Sequence, residues 1–184
     1  GSSEEYGCVP STFREDHGVY PVSAYGVSKL SATLLTQQYA LTCGVNACSA
    51  RIFLAYGPNQ SQDFFVAQLL QAWRTGEAFD MSPGQQSRDF VWIQDCIQAL
   101  LHLGAHPGLQ GRIVNVCTGT ETRLLEVVAL LQQLTGSPLQ VNPGALPYRS
   151  QEMMRNVGDP GLLESMTGFR PTTSLRDGLT RLLG

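Results

Sequence analysis

Apolar and polar residues follow one another along the chain with a spacing that changes repeatedly between helical and extended periodicity. From Val22 to Ala40, apolar residues recur three to four positions apart and Gly44 follows them, which predicts an amphipathic helix and its end. The run 46–55 is short and rich in apolar residues, which predicts a buried strand closed by a turn over 56–59.

The same change of periodicity continues to the carboxyl end. Extended segments are predicted over 87–92 and 112–117, and further helices over 63–75, 93–103, 124–134, 160–166 and 174–183. Helices that alternate with short strands are typical of an α/β fold. The first part of the chain is expected to form helix and strand of a parallel sheet, and the rest a smaller mixed lobe. Ligands of such folds bind in the crevice outside the carboxyl ends of the strands.

Composition narrows the class of protein. A chain of 184 residues with 42% hydrophobic residues is an ordinary globular chain, which excludes disordered and collagen-like classes. Its formal net charge is -3 and its basic residues are scattered singly, so neither nucleic acid nor an anionic membrane is an expected partner. Five cysteines without a Cys-x-x-Cys pair, and a start without signal-peptide character, predict reduced thiols and a cytoplasmic location.

Lysine usage singles out one position. The chain contains eleven arginines but only one lysine, Lys29. Arginine fills the other cationic positions, so Lys29 is either a stray surface residue or a site that needs a compact ammonium group. Lys29 lies four residues after Tyr25 on the first predicted helix, which places both side chains on one face. The positive charge favours the phenolate of Tyr25, so the pair is either a proton-transfer unit or an accidental surface pair.

Five further motifs occur in order along essentially the whole chain. They are Ser2-Ser3-Glu4-Glu5-Tyr6-Gly7, Arg51-Ile52-Phe53-Leu54-Ala55-Tyr56-Gly57-Pro58, Arg88-Asp89-Phe90-Val91, Asn115-Val116-Cys117-Thr118-Gly119 and Gly168-Phe169-Arg170-Pro171. Together with Tyr25-x-x-x-Lys29, this series resembles the extended short-chain dehydrogenase/reductase family of NAD(P)-dependent nucleotide-sugar epimerases, 4,6-dehydratases and 4-keto-sugar reductases.

The resemblance implies roles for the residues around the tyrosine. Tyr25 would act as acid/base at the sugar C4 oxygen, and Ser2 would form a hydrogen bond to the same oxygen. Lys29 would bind the nicotinamide ribose and tune Tyr25, while hydride moves between C4 and the nicotinamide of NAD or NADP. Phe53 matches the position whose backbone lies near the nicotinamide.

The resemblance also implies a nucleotide-diphosphate sugar as the partner. Arg88 would contact the diphosphate, and Arg149 and Glu152 would hold the diphosphate and a ribose hydroxyl; surface ion pairs are the alternative for the two arginines. Glu4 matches the carboxylate that removes the C5 proton in 4,6-dehydratases. Because Ser2 stands where dehydratases more typically have Thr, keto-reduction or epimerisation is favoured over dehydration.

Two departures from the family pattern affect these expectations. No Gly-x-x-Gly-x-x-Gly loop is present to bind the cofactor pyrophosphate, so residues 1–58 are interpreted as the carboxyl-terminal part of a Rossmann-type sheet with the Tyr-x-x-x-Lys helix. Residues 59–184 would then form mainly the nucleotide-sugar lobe, with a return to the sheet near 87–118. Leu54 replaces an Asn that binds substrate in many relatives.

The histidines have no partners at ligand spacing, so no metal site is expected.

Two hypotheses therefore stand. The chain is part of a larger oxidoreductase, or it is a truncated, non-catalytic fragment that acts as a self-associating interaction module. The apolar stripe Leu30, Leu34 and Leu35 on the first helix needs a cover, and a homo-oligomer would supply one.

Overall fold

The computed structural model of the protein describes residues 1–9 and 12–184. Within them the chain forms a 3-10 turn at Ser3–Glu5 and six α-helices: α1 Ala24–Cys43, α2 Phe65–Thr75, α3 Ile93–Ala105, α4 Leu124–Thr135, α5 Gly161–Thr167 and α6 Leu175–Leu183. The strands are β1 Ser49–Ile52, β2 Leu54–Tyr56, β3 Phe79–Met81, β4 Ser87–Arg88, β5 Phe90–Trp92, β6 Ile113–Val116, β7 Thr122–Arg123, β8 Val141–Pro143 and β9 Arg155–Asn156.

Parallel strand pairs form the framework of the first part. Strand β1 pairs with β6 in parallel register, and Ser2 forms a parallel bridge to Ile52 at the end of β1. Strand β2 follows after Phe53 and pairs in parallel with β5. Helices α3 and α5 pack against this framework, which confirms the predicted α/β class with parallel strands.

The second part is a small lobe of mixed pairing. Strand β3 pairs in parallel with β8, whereas β4 pairs in parallel with β9 and antiparallel with β7. The lobe brings residues far apart in sequence together at β4, the strand that ends with Arg88.

Two hydrophobic cores hold these parts together. One lies between α2, α4, α6 and strands β2, β3 and β5, with Leu69, Val127 and Leu179 fully buried. The other lies beside β1 and β6, where Phe13, Val114 and Leu163 are fully buried. The structure thus has one core beside each set of strands.

Helix α1 buries small residues and exposes large ones. Ser23 caps its first turn by accepting a hydrogen bond from the Gly26 amide at 2.9 Å, and Gly44 ends it in the left-handed conformation with φ of 69°. The buried residues of α1 are Gly26, Thr33 and Ala40. The exposed ones include Val27, Leu34, Leu35, Tyr39 and Leu41. In the described part of the chain, no helix has the length and apolar character needed to cross a membrane.

Candidate functional site

The Ser3–Glu5 turn and the start of α1 are joined by a carboxylate. The hydroxyl oxygen of Ser2 caps the turn by accepting from the Glu4 amide at 3.3 Å. The hydroxyl of Ser23 donates to Oε2 of Glu4 at 2.8 Å while it also caps α1. The predicted catalytic turn is therefore fixed directly to the first turn of the helix that carries Tyr25. Sequence reasoning did not assign a role to Ser23, although a serine just before a helix is a recognisable cap.

Tyr25 and Lys29 lie together on the surface of α1. The ammonium nitrogen of Lys29 is 5.4 Å from the centroid of the Tyr25 ring, close enough for a cation–π contact. The side chain of Tyr25 is 52% exposed, and Lys29 is half-buried. This geometry leaves the phenol accessible to a ligand beside a single positive charge.

Four of the predicted residues line one cleft of about 390 Å³. They are Glu4, Arg88, Arg149 and Glu152, and we name this space the two-arginine cleft. The same four residues also line an adjoining pocket of about 250 Å³, whose other lining residues are Val22, Ser23, Ser150, Gln151, Met153 and Asn156. Side chains from the turn, from β4 and from the segment before β9 thus converge in one place.

The two-arginine cleft also contains residues that the sequence did not single out. Three aromatic rings line it, Phe64, Phe65 and Phe79, together with the carboxylates Asp63 and Asp80. No local pattern distinguishes these residues from core aromatics and surface acids, because they converge only through the packing of α2 and β3.

The guanidinium of Arg88 is held by three acceptors. Its Nη1 donates to the carbonyl oxygens of Ser87 at 2.8 Å and Met153 at 2.6 Å, and its Nη2 donates to Oε1 of Glu152 at 2.5 Å. The side chains of Arg88 and Glu152 are 16% and 13% exposed. Burial lowers the pKa of Arg88, and the carboxylate of Glu152 opposes that effect. The positive charge is thus fixed in direction and paired.

Arg149 is the second cation of the cleft. It is exposed and lines both pockets together with Arg88. Burial is the main cause of the lowered pKa of Arg88, and the positive charge of Arg149 adds to it. The segment that carries it is anchored by Tyr148, whose hydroxyl oxygen accepts from the Gln85 amide at 3.3 Å. Two neighbouring guanidinium groups are a suitable arrangement for an anion.

Asp89 fixes the strand that presents Arg88. It is fully buried, and Oδ1 accepts from the amide and hydroxyl of Thr118 at 2.9 and 2.7 Å, while Oδ2 accepts from the Gly119 amide at 2.8 Å. Burial raises the pKa of Asp89, and these hydrogen bonds oppose the rise. Two of the motifs singled out in the sequence therefore meet at one carboxylate.

Ser2, Tyr25, Lys29 and Phe53 do not line the two-arginine cleft as far as the described residues define it. Phe53 is 4% exposed. Its amide donates to the carbonyl oxygen of Val116 at 3.1 Å, and its carbonyl oxygen accepts from the Ala55 amide at 2.8 Å. The side chain of Phe53 is a core residue.

Another surface cavity, of about 650 Å³, contains none of the predicted residues. Its polar lining is Arg14, Glu15, Asp16, Gln37, Arg112, Asp159 and Ser165. No aromatic ring is among the described residues that line it. The two-arginine cleft instead combines aromatic rings, cations and carboxylates that can accept hydrogen bonds from ligand hydroxyls. The smaller cleft is therefore the better candidate site, although its volume is less.

The chain belongs to the NAD dependent epimerase/dehydratase family, which it matches over residues 1–117. This match confirms the resemblance. A GDP-6-deoxy-D-mannose reductase from Pseudomonas aeruginosa is 30% identical over 99% of this chain and 62% of the reductase.

Solved structures agree with this assignment. A UDP-glucuronic acid 4-epimerase from Bacillus cereus, in complex with UDP-glucuronic acid and NAD, superposes with a TM-score of 0.91 at 26% identity over 100% of this chain and 60% of that one. A Pseudomonas aeruginosa structure named RMD, complexed with NADPH, gives 0.89 at 29% identity over 99% and 63%. The chain spans about three fifths of the length of these relatives.

Proposed function

We propose that the chain supplies the catalytic helix and the nucleotide-sugar lobe of an NAD(P)-dependent enzyme that modifies a nucleotide sugar at C4. The observation that carries this proposal is the convergence of Glu4, Arg88, Arg149 and Glu152 in one cleft. Ser23 links Glu4 to the helix of Tyr25. The named activities of the relatives, reduction and epimerisation of nucleotide sugars, support the same reaction class.

The chemistry at C4 is assigned to three side chains. Tyr25 gives or takes the proton of the C4 oxygen, and the ammonium of Lys29 stabilises the phenolate. Ser2 donates a hydrogen bond to the same oxygen; its own oxygen already accepts from the Glu4 amide, which leaves its hydrogen to donate. A bound nicotinamide cofactor would supply the hydride chemistry at C4, beside these side chains.

The residues present fit part of such a cofactor. The accessible phenol of Tyr25 and the half-buried ammonium of Lys29 on α1 suit a nicotinamide ribose. The sequence has no Gly-x-x-Gly-x-x-Gly loop, so we assign no residue of the chain to the dinucleotide pyrophosphate.

The substrate contacts are distributed across the two-arginine cleft. Arg88 and Arg149 provide charge-assisted hydrogen bonds to the diphosphate, and Glu152 accepts from a ribose hydroxyl. The aromatic rings that line the cleft offer faces for the base. The cleft is thus assigned the diphosphate, the ribose and the base of a nucleotide-diphosphate sugar.

The environment of Glu4 supports reduction or epimerisation over 4,6-dehydration. A general base must keep its carboxylate free for the proton that it removes. Oε2 of Glu4 instead accepts from the Ser23 hydroxyl at 2.8 Å, so this oxygen is engaged at the start of α1. We expect no release of water from a nucleotide hexose.

The two cores support the division of the chain proposed from its sequence. Val91 and Val114 pack in the core beside β1, which supports a return of residues 87–118 to the sheet of residues 1–58. The other core, with Leu69 and Leu179, supports a separate lobe within residues 59–184. All five cysteines are free, which supports a reducing compartment such as the cytoplasm.

Self-association is a second candidate function, and the exposed face of α1 favours it. Val27, Leu34, Leu35 and Leu41 are 50%, 54%, 59% and 74% exposed. Exposed apolar side chains of this kind are covered when two copies pack helix against helix. This surface is compatible with catalysis in an oligomer and with the non-catalytic alternative.

Calorimetric titration tests the proposed function. The purified chain is titrated with NADH, NADPH and a panel of UDP-, GDP-, CDP- and dTDP-sugars, and each titration is repeated with Tyr25→Phe, Arg88→Ala and Arg149→Ala. Arg176→Ala, whose guanidinium contacts Gln133 outside the cleft, is the matched control.

Binding of one nucleotide sugar that both cleft variants weaken and the control retains would support the proposal. Arg149→Ala is informative even where Arg88→Ala unfolds, because Arg149 is exposed. If the folded wild-type chain gave no measurable heat of binding with any ligand of the panel, the proposal would be contradicted and the non-catalytic module favoured.

A further inference from the structure

The charges of the two-arginine cleft do not favour a free anion. Two cations line it, Arg88 and Arg149, but so do four carboxylates, which are Glu4, Asp63, Asp80 and Glu152. A diphosphate that enters must therefore approach several negative groups. Carboxylates in this position are useful only when the ligand brings hydroxyl donors with its phosphates.

The contacts of Arg88 show how a phosphate could still bind beside these carboxylates. Two of its three hydrogen bonds go to main-chain carbonyls, those of Ser87 and Met153. These oxygens are held by β4 and by the backbone that leads into β9, so they do not move independently. The third acceptor is the side chain of Glu152, which can leave by rotation about its own bonds. Glu152 is thus the replaceable partner of Arg88.

Release of Glu152 has a cost that depends on the ligand. A phosphate oxygen can take its place on Nη2 of Arg88, but the displaced carboxylate then lies beside an anion with only 13% of its surface exposed. A ribose hydroxyl next to the diphosphate gives that carboxylate a new donor. Free phosphate or pyrophosphate supplies the charge without a ribose hydroxyl.

We propose that Glu152 determines specificity by pairing with Arg88 until a nucleoside diphosphate brings both a phosphate for Arg88 and a ribose hydroxyl for Glu152. The ion pair thereby weakens the binding of inorganic phosphates in the cleft. This inference rests on the proposed function, because it assumes that the cleft binds nucleotide sugars.

The experiment measures binding of inorganic pyrophosphate, UDP and GDP to the full chain by calorimetry. Glu152→Gln keeps the shape and removes the charge. We expect this variant to bind pyrophosphate roughly tenfold more tightly, because a like charge beside the anion is removed. The gain for the bound nucleotide should be smaller because the ribose contact weakens, so the preference for nucleotide over pyrophosphate falls.

Two controls separate the ion pair from total charge. Glu164→Gln makes the same change of charge at an exposed pair with Arg170 outside the cleft and should leave both affinities unchanged. The double variant Arg88→Ala with Glu152→Gln should lose the gain in pyrophosphate binding.

The outcomes distinguish the inference from the function. Equal pyrophosphate affinity of the wild type and Glu152→Gln, with a nucleotide still bound, would overturn the role of Glu152 and leave the proposed function standing. Failure of both proteins to bind UDP, GDP or any of the nucleotide sugars would contradict the proposed function, and the inference would fail with it.

Discussion

A buried ion pair beside the Ser3–Glu5 turn tests how the candidate site is held in place. Glu5 is fully buried and Arg51 is 2% exposed, and Nε of Arg51 donates to Oε2 of Glu5 at 2.7 Å. Oε1 of Glu5 also accepts from the Ser2 amide at 2.8 Å and the Thr33 hydroxyl at 3.0 Å. One carboxylate thus links the turn of Ser2, helix α1 and strand β1. The perturbation is Arg51→Met, which keeps much of the side-chain stem and removes the charge.

The expected loss of stability follows from the buried carboxylate that the substitution leaves unpaired. Removal of one partner from a buried pair costs about 3–5 kcal/mol, because the remaining charge is uncompensated. The guanidinium carbon of Arg51 is also 4.6 Å from the centroid of the Tyr6 ring, and that cation–π contact contributes about 1 kcal/mol more. We therefore expect Arg51→Met to lower the free energy of unfolding by about 5 kcal/mol, a large part of a typical domain's stability.

Glu5→Gln and the double variant complete a mutant cycle. Glu5→Gln should cost about 3 kcal/mol because the guanidinium of Arg51 remains buried. The double variant removes both charges, so its loss should be smaller than the sum of the two single losses by about 2 kcal/mol or more.

Urea unfolding followed by tryptophan fluorescence measures these differences. Arg170→Met is the control, because Arg170 and Glu164 form an exposed pair at 3.3 Å that should contribute about 0–1 kcal/mol. Single losses that add within about 0.5 kcal/mol in the double variant would refute the coupling. A loss for Arg51→Met as small as that of Arg170→Met would refute the assigned role of burial.

Three further predictions concern pH, backbone and surface. Burial raises the pKa of the Glu15 carboxyl, so the folded chain binds a proton there more readily than the unfolded chain does. The free energy of unfolding should therefore fall as pH rises from the ordinary pKa to the raised one. Glu15→Gln should reduce this pH dependence in urea midpoints measured across pH. Gly7→Ala should cost about 3 kcal/mol in urea unfolding. Its Cβ would lie 1.9 Å from the Tyr20 carbonyl oxygen at φ of +75°. Sedimentation at micromolar concentration should show self-association that Leu34→Glu with Leu35→Glu abolishes; a monomeric wild type would contradict this.

The helices could be predicted well because their apolar residues are periodic and because a glycine follows each of them except α3, which is followed by His106. Helices α3, α4 and α6 differ from their predicted ranges by only a residue or two, and glycines in the left-handed conformation end α1, α2 and α4. Strands β3, β7, β8 and β9 were not predicted. Each has two or three residues, too few for a period of two to be visible, and each exists only because a distant partner is present.

The site could be predicted as a set of residue types but not as a network. The family resemblance pointed to Arg88, Arg149 and Glu152, and the structure brings them together. Nothing in the local sequence indicated that Glu152 pairs with Arg88, or that Ser23 binds Glu4. These contacts join residues that are 64 and 19 positions apart, so only the folded arrangement determines them.

The structure also refines the argument from the single lysine. Arginine is not merely a surface cation in this chain: Arg51 is buried against a carboxylate and a ring, and Arg88 reaches three acceptors at once. The planar fork suits positions where several fixed acceptors surround the charge. Lys29 takes part in none of the ion pairs found among the described residues, and it lies beside the ring of Tyr25 on an accessible helix face. A compact charge without a fixed carboxylate partner remains available to a phenolate, which is the property that the proposed proton transfer at Tyr25 requires.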